Sequence, residues 1–310
     1  MTENESLSRF TALGGGRSIW DAYAAELDAS DKTRTTYLRA LKQYAEWLDA
    51  EGTDALQATR ETVTAYKRYL RANKSASTVN CYLTAVRSLY QWLEARRIYP
   101  NVAAGIKGER ASAHSAKEAL TKEQAQRLIA PSGDSLAAKR DDAMLNLMLR
   151  RGLRTCEVAR ANIEDIRQEG GKAVLYVQGK GKADKGEFVV LGEECLAPIY
   201  EYLEARGEMD PKAPLFAAVG NRNGGGRMTT RSISRIAKGR MAERGMSSAR
   251  LTAHSLRHTA VTFALMGGAT VQEAQAMARH ASIGTTMIYA HNLDRLNAGG
   301  ERGVDTFLSA

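Results

Sequence analysis

Apolar residues recur at three- and four-residue spacing along most of the chain, which is the period of amphipathic helices packed on a core. Before position 100 this pattern predicts four helices, at about 19–27, 32–51, 59–73 and 78–97. Tyrosine and tryptophan fall on the apolar faces of these helices, and we interpret them as core residues rather than as platforms for nucleic-acid bases. Four helices joined by short turns predict a small all-α bundle.

A second region of helical periodicity begins at Leu120, after a stretch of small and charged residues that we interpret as a linker. Helices are expected to begin there near positions 122, 140, 194, 230, 251, 271 and 283. The runs 172–178 and 187–191 are rich in β-branched and aromatic residues and predict two strands around a glycine-lysine hairpin tip. The expected fold is mainly α with a small antiparallel β-hairpin.

These patterns divide the chain into a loose arm at 1–17, a helical domain at 18–100, the linker at 101–118 and a mixed α/β domain at 119–310. The last domain ends in a tail, 299–310, whose short apolar patch consists of Val304, Phe307 and Leu308. Because this patch is too small to form a core of its own, we expect the tail to dock on another surface, such as that of a second protomer.

The composition favours a polyanionic partner in a reducing compartment. Lysine and arginine total 44 against 35 aspartate and glutamate, giving a net charge of +9, and a basic surface is the usual footprint of nucleic-acid binding. Cys81, Cys156 and Cys195 are far apart and odd in number, which argues against a disulfide framework and against a zinc site. No segment has the roughly 18–20 apolar residues of a membrane span. We therefore expect a cytoplasmic, nucleoid-associated protein without a membrane partner.

The stretch 251–258 carries the clearest candidate chemistry. Read as a helix, it places His254, Arg257 and His258 on one face. The other face offers four apolar side chains to a core, Leu251, Leu256, Val261 and Phe263. A site for an anion, in particular a phosphate, explains the polar face because arginine grips two oxygens at once. A solvated basic face and a metal site with His-x-x-x-His spacing remain alternatives here, although the intervening arginine would repel a cation.

Other basic side chains are candidates for contacts with DNA phosphates, with an ordinary solvated surface as the alternative. The hairpin tip carries three lysines, at 180, 182 and 185. The helix that begins near 230 has a basic, hydroxyl-rich face that suits a major groove. The candidate DNA-binding residues are Lys32, Arg34, Arg39, Lys42, Lys182, Arg231 and Arg235.

Five motifs in a fixed order resemble the tyrosine recombinase family, which includes phage integrases and Xer-type recombinases. They are Arg-Thr-Cys-Glu at 154–157, Gly-Lys-Gly-Lys at 179–182, His-Ser-Leu-Arg-His at 254–258, Arg-His at 279–280, and Tyr289. The resemblance covers nearly the whole chain and is closer to the compact Xer-like group than to larger phage integrases. It implies a four-helix, SAM-like core-binding domain followed by a mixed α/β catalytic domain.

The resemblance implies a site-specific recombinase that cleaves and rejoins DNA through a 3′-phosphotyrosyl intermediate, with no metal, ATP or other cofactor. Matching catalytic positions are Arg154, Lys180, His254, Arg257, His280 and Tyr289, supported by Glu157. Tyr289 is the expected nucleophile and His254 its base, while the arginines and His280 hold the phosphate. Lys180 is the expected general acid, with Lys182 as its rival.

The expected partner is a double-stranded DNA recombination site bound by a homo-tetramer, with a partner recombinase or a directionality factor as candidate accessories. Two other classes remain open: an architectural DNA-binding protein with a silent site, and a type IB topoisomerase with similar chemistry. The complete set of catalytic positions argues against the first, and the compact two-domain layout argues against the second.

Overall fold

The chain folds into two compact units, one up to His114 and the other from Ser115 onward. The computed structural model describes residues 12–13, 17–110, 118–179, 181–208, 210–220, 224–297, 304 and 306–309. Among these residues, no helix has both the length and the apolar character needed to cross a membrane.

The first unit is a helical bundle preceded by a short hairpin. Its helices are α1 (Ile19–Glu26), α2 (Asp31–Ala50), α3 (Arg60–Asn73) and α4 (Ala76–Ala95). The four predicted helices are thereby confirmed. The hairpin pairs β1 (Ala12–Leu13) with β2 (Arg17–Ser18) in antiparallel register. The described part of the predicted loose arm is therefore paired, because backbone hydrogen bonds between two strands need no apolar side chains.

Tyrosines form the centre of this bundle. Tyr44, Tyr66 and Tyr90 have no exposed surface, and the hydroxyls of Tyr44 and Tyr90 lie 2.9 Å apart. The Tyr90 hydroxyl is also 3.1 Å from the carbonyl oxygen of Ala55. The rings add apolar area to the core while these two hydroxyls keep hydrogen-bond partners. The interpretation of the tyrosines as core is confirmed.

Residues 101–110 pack on the bundle, whereas the sequence predicted a linker there. Ala103 and Ile106 are buried, and the Asn80 side chain bonds the backbone N–H and carbonyl of Glu109 at 2.7 and 2.9 Å. The prediction was wrong for this segment because two buried side chains in ten do not make a periodic pattern. Residues 111–117 lie outside the described residues.

The second unit packs helices around a small antiparallel sheet. Its helices are α5 (Lys122–Ile129), α6 (Leu136–Arg151), α7 (Thr155–Arg160), α8 (Glu193–Arg206), α9 (Thr230–Glu243), α10 (Ala253–Met266), α11 (Val271–Ala278) and α12 (Ile283–Asn297). Its strands are β3 (Ile166–Glu169), β4 (Lys172–Val177) and β5 (Glu187–Val190), in the order β3-β4-β5. This is the expected fold class: mainly α with a small antiparallel sheet, in a helical domain and a mixed domain.

The sequence predicted β4 and β5 but neither β3 nor α7. Strand β3 pairs Ile166 with Leu175 and Glu169 with Lys172, yet three of its four side chains are exposed. A strand with one inward residue shows no alternation, and a helix of six residues is too short to show a period.

Helix α10 is the centre of the second unit, since it packs against α6, α9, α11 and α12. It begins at Ala253, with Thr252 as its N-cap. The predicted apolar face is confirmed, with Leu251, Leu256 and Val261 buried and Phe263 half-buried. The opposite face is also covered, because Arg257 is only 1 % exposed. A buried arginine needs partners for its charge and its N–H groups.

Candidate active site

Four of the predicted catalytic residues, Arg154, Arg257, His280 and Tyr289, lie near one another where α10, α11 and α12 pack together. The Tyr289 ring on α12 lies 4.4 Å from the His258 ring on α10 and 6.3 Å from the His280 ring, which follows α11. Arg257 is close enough to lower the pKa values of both Tyr289 and His280. A nucleophile candidate and a guanidinium therefore share one site within one subunit.

Arg154 is fixed at the start of α7 by Glu157. The Arg154 backbone N–H donates to Glu157 Oε2 at 2.8 Å, and Arg154 Nη1 donates to Glu157 Oε1 at 2.7 Å. Glu157 is fully buried, whereas the Arg154 side chain is 26 % exposed. The carboxylate thus orders a guanidinium that still reaches solvent, and a phosphate can approach it.

Arg257 spans two helix ends. Its Nη1 donates to the carbonyl oxygen of Gly152 at 2.7 Å, and its Nη2 donates to the carbonyl oxygen of Ala278. Gly152 ends α6 with a φ of +61°, a conformation that favours glycine. Carbonyls at the ends of helices lack intrahelical partners. The buried guanidinium and these carbonyls therefore satisfy one another.

The end of α11 collects three guanidinium groups on three successive carbonyls. The carbonyl oxygen of Met277 accepts a hydrogen bond from the Arg279 side chain. The carbonyl oxygen of Ala278 accepts one from Arg257, and that of Arg279 accepts one from Arg154. A helix C-terminus carries partial negative charge and favours cations. This partial charge helps to explain how three like charges can gather at one place.

Arg279 is a member of this cluster that sequence reasoning missed. Its Nη2 donates to Glu157 Oε2 at 2.7 Å, and its side chain is 3 % exposed. The sequence offered one signal, because Arg279 belongs to the Arg-His motif at 279–280, but only His280 was given a role. Its partner Glu157 is distant along the chain, so no local pattern indicates the pair.

The pKa values of Glu157 and Arg257 leave both groups charged at neutral pH. Burial raises the pKa of Glu157, but Arg279 and Arg154 outweigh it and hold that pKa below its usual value. Burial, with Arg154 and Arg279 nearby, lowers the pKa of Arg257 to about 10. Three cations therefore surround one anion, and the site carries net positive charge where a phosphate would bind.

His280 and Tyr289 respond to burial and to this charge. Burial, followed by the influence of the nearby arginines, lowers the pKa of His280 to about 4, so its imidazole is neutral at pH 7. Its Nδ1 lies 2.9 Å from Thr286 Oγ1, which orients the ring. Tyr289 is only 9 % exposed. Burial raises its pKa more than Arg257 lowers it, so the phenol is protonated at rest.

The predicted polar face of α10 is divided between three environments. Arg257 is buried, His258 is half-buried against Tyr289, and His254 is exposed. Burial lowers the pKa of His258, and its Nδ1 is buried without a hydrogen-bond partner among the described residues. The three residues do share one helix face, as predicted, but their exposure differs because neighbouring helices cover α10 unequally along its length.

A cleft of about 670 Å³ opens beside this cluster. The cleft is lined by residues of β5 and α11 together with Arg154, Lys182, Arg279 and His280.

Two lysines of the hairpin are paired with carboxylates. Lys182 Nζ lies 3.1 Å from Glu187 Oε1, and Lys185 Nζ lies 2.5 Å from Oδ2 of the buried Asp165. Lys180, the predicted general acid, lies outside the described residues. In the described part of the chain, no three His, Cys, Asp or Glu side chains cluster as metal ligands.

Apart from Lys182 on the hairpin, the predicted DNA-binding residues lie on α2 and α9. On α9, Arg231 and Arg235 are exposed and line a groove of about 660 Å³. The positions on α2 differ from one another, as Lys32 and Arg39 are exposed and Lys42 is half-buried. Arg34 Nη2 donates to the carbonyl oxygen of Leu27 at 3.0 Å, so this arginine already has a partner in the bundle.

Comparison with known families gives matches to both units. Residues 118–295 match the model of the phage integrase family. Residues 20–97 match the model of the phage integrase N-terminal SAM-like domain. Together the two matches contain nearly all the described helices and every predicted catalytic residue.

Individual relatives agree with these matches over most of their length. The chain is 33% identical to a tyrosine recombinase XerC of Pelobacter propionicus, covering 87% of this chain and 88% of that protein. It is 30% identical to a tyrosine recombinase XerD of Xanthomonas axonopodis pv. citri, covering 90% and 94%. Among solved structures, the fold resembles XerH recombinase bound to its difH substrate, with a TM-score of 0.72 at 19% identity over 86% of this chain and 80% of that one. It also resembles a lambda integrase tetramer bound to a Holliday junction, with a TM-score of 0.67 at 16% identity. This match covers 87% of this chain and 76% of that one.

Proposed function

The chain belongs to the phage integrase family of Xer-like tyrosine recombinases, and from this membership we propose that Tyr289 cleaves and rejoins DNA during site-specific recombination. The observation that carries the proposal is that Tyr289 and Arg257 share one site in one subunit. The substrate is a double-stranded recombination site, and the reaction takes place on DNA in the cytoplasm.

Cleavage begins when the Tyr289 oxygen attacks the scissile phosphorus. An isolated tyrosine with a pKa near 10 is ionised in only about one molecule in a thousand at pH 7, and burial makes ionisation harder here. A base is therefore needed, and His254, exposed at the start of α10, takes this role and accepts the phenol proton. The half-buried His258 packs on the phenol ring and limits the positions that it can occupy.

Negative charge on the non-bridging oxygens is held by Arg154, Arg257 and His280. The arginines contribute fixed charge that needs little reorganisation during the reaction, since their N–H groups are already oriented by protein acceptors. His280 acts as a neutral hydrogen-bond donor, because a pKa of about 4 leaves its imidazole uncharged at pH 7.

The leaving 5′ oxygen takes a proton from Lys180 at the hairpin tip as the P–O5′ bond breaks. Lys182 and Lys185 are already paired with Glu187 and Asp165, which supports Lys180 over its rival Lys182. The products are a 3′-phosphotyrosyl link and a free 5′-hydroxyl. Attack by a 5′-hydroxyl of another strand reverses the step, so no ATP is consumed and no metal ion takes part.

Strand exchange requires several protomers, and we expect a homo-tetramer on DNA, with a partner recombinase or directionality factor where direction is controlled. Phe307 and Leu308 in the tail are 83% and 78% exposed within the single chain. Their exposure supports docking of the tail on a neighbouring protomer.

The proposal is tested by trapping the covalent intermediate. A duplex selected from a random library by its binding to the protein is nicked, so that the cleaved end diffuses away and religation fails. The wild type should form a denaturation-resistant protein–DNA adduct in the presence of EDTA. Tyr289→Phe should bind the duplex equally well and form none, because it lacks the nucleophilic oxygen.

Absence of an adduct with the wild type would favour a DNA-binding protein with a silent site. Relaxation of supercoiled DNA that lacks the selected sequence would instead favour a type IB topoisomerase. Cleavage that leaves no covalent adduct and stops when EDTA is added would indicate a metal-dependent nuclease.

A further inference from the structure

Arg279 occupies a backbone conformation that rarely suits a side chain. It is the residue that ends α11, with φ +53° and ψ +49°. Glycine is the usual residue in this left-handed region at a helix end, because a Cβ atom is strained there. In addition, the Arg279 Nε is buried without a hydrogen-bond partner among the described residues. Two unfavourable features at one residue beside an active site suggest that its side chain is retained for function.

Two contacts of Arg279 concern the ordering of Arg154. The Arg279 side chain holds Glu157 Oε2 at 2.7 Å, and Glu157 Oε1 holds Arg154 Nη1 at the same distance. The backbone carbonyl of Arg279 accepts a hydrogen bond from Arg154 Nη2 at 3.1 Å. Arg154 is thus held through a carboxylate on one side and a carbonyl on the other, and both partners depend on residue 279.

Fixing is important for Arg154 because packing alone does not restrain it. Its side chain is 26% exposed, whereas those of Glu157 and Arg279 are 0% and 3% exposed. Apart from Arg279, the partners of the Glu157 carboxylate among the described residues are the backbone N–H and the guanidinium of Arg154 itself, so without Arg279 the carboxylate could move together with Arg154. A second guanidinium on the other oxygen holds the carboxylate plane in one orientation.

We propose that Arg279 is a positioning residue for strand cleavage, which anchors Glu157 and thereby fixes the Arg154 guanidinium where it receives the scissile phosphate. This inference rests on the proposed recombinase function. Arg279 itself does not need to touch the DNA, because its side chain is almost completely buried.

The test replaces Arg279 by glycine, which fits the left-handed backbone and keeps the carbonyl that Arg154 uses. A matched control exists in the first unit, where the exposed Arg97 follows α4 with φ +57°. Arg97→Gly makes the same substitution in the same left-handed backbone conformation, but in the unit that does not contain the cluster. Single-turnover cleavage at saturating DNA should be about tenfold to a hundredfold slower for Arg279→Gly, because misplaced reacting groups lose rate on this scale. Arg97→Gly should cleave at the wild-type rate, and both variants should bind DNA as the wild type does.

Two further measurements separate positioning from a general structural role. Added guanidinium ion, below denaturing concentrations, should recover part of the rate of Arg279→Gly and leave Arg97→Gly unchanged. In a double-mutant cycle, Arg279→Gly should cause little additional loss in a Glu157→Gln background, since its effect passes through that carboxylate. The proposal would be overturned if the losses of cleavage rate caused by Arg279→Gly and Glu157→Gln multiplied in the double variant. It would also be overturned if Arg279→Gly cleaved at the wild-type rate.

Where a melting curve shows that Arg279→Gly does not fold, Arg279→Lys becomes the test variant because it keeps a cation near Glu157. Its cleavage should be slower than that of the wild type, since one ammonium cannot reproduce two oriented N–H bonds. A wild-type rate for this variant would contradict the inference. If the wild type itself forms no covalent adduct, the recombinase function fails first, and the two failures are therefore distinguishable.

Discussion

The second unit carries two sets of basic side chains that share a charge but not an environment. The buried set consists of Arg257 and Arg279 together with the partly buried Arg154, and its N–H groups are directed at Glu157 and at backbone carbonyls. The exposed set, Arg231, Arg235 and Lys238, lies on α9 and faces solvent. Composition counts these six residues alike, but the fold gives them different physical properties.

The difference is one of desolvation. A buried charge interacts strongly with its neighbours and is held in one geometry, which suits the stabilisation of a transition state. An exposed charge is screened by water and salt and samples many rotamers, which suits affinity for a polyanion more than precise positioning. We therefore expect buried arginines to determine the rate of cleavage and exposed ones to determine DNA affinity.

The largest expected effect is that of Arg257→Ala. Cleavage at saturating DNA should fall about a thousandfold, the upper range for loss of one oriented donor to a developing negative charge. The protein should also lose about 2 to 4 kcal/mol of unfolding free energy, because the carbonyls of Gly152 and Ala278 lose their partner. Arg250→Ala is the control, since its side chain is 70% exposed. If Arg257→Ala cleaved at the wild-type rate at saturating DNA but bound DNA weakly, the buried and exposed sets would not have the different roles expected of them.

A smaller effect is expected from Arg231→Ala combined with Arg235→Ala. Affinity should fall about tenfold or more, and the slope of log K against log salt should decrease by about one for each phosphate that the variant no longer neutralises. Cleavage at saturating DNA should stay close to the wild-type rate, because neither side chain belongs to the buried cluster. The salt dependence is measured by fluorescence anisotropy. A large loss of cleavage rate at saturating DNA would mean that α9 contributes to catalysis. It would contradict the division between buried and exposed basic residues.

The smallest effect concerns stability and pH at His280. Its pKa is about 4 in the folded chain against 6.5 for a free imidazole, so between these values the unfolded state binds more protons. Unfolding free energy should therefore decrease as pH falls from 6.5 towards 4. His280→Gln should show a shallower decrease over that window, measured by denaturant titration at successive pH values. Equal slopes for the two proteins would mean that burial and the nearby arginines do not lower the pKa of this ring.

Much of this architecture could be predicted from sequence because it depends on local periodicity. The helices of the bundle, the strands β4 and β5, and the apolar face of α10 follow from spacing that each segment carries within itself. What was missed has weak local signals: β3 has one inward residue, and residues 101–110 bury only Ala103 and Ile106.

The sequence by itself determined which chemical groups are available and their order along the chain, and five ordered motifs were enough to indicate the family. Only the tertiary structure decided that Arg257 is buried while His254, one turn earlier, is exposed. Only the tertiary structure brought Arg279 to Glu157 and Arg154, residues more than a hundred positions away. The physical reason is that burial and hydrogen-bond partners are properties of packed helix ends, whereas periodicity is a property of one helix.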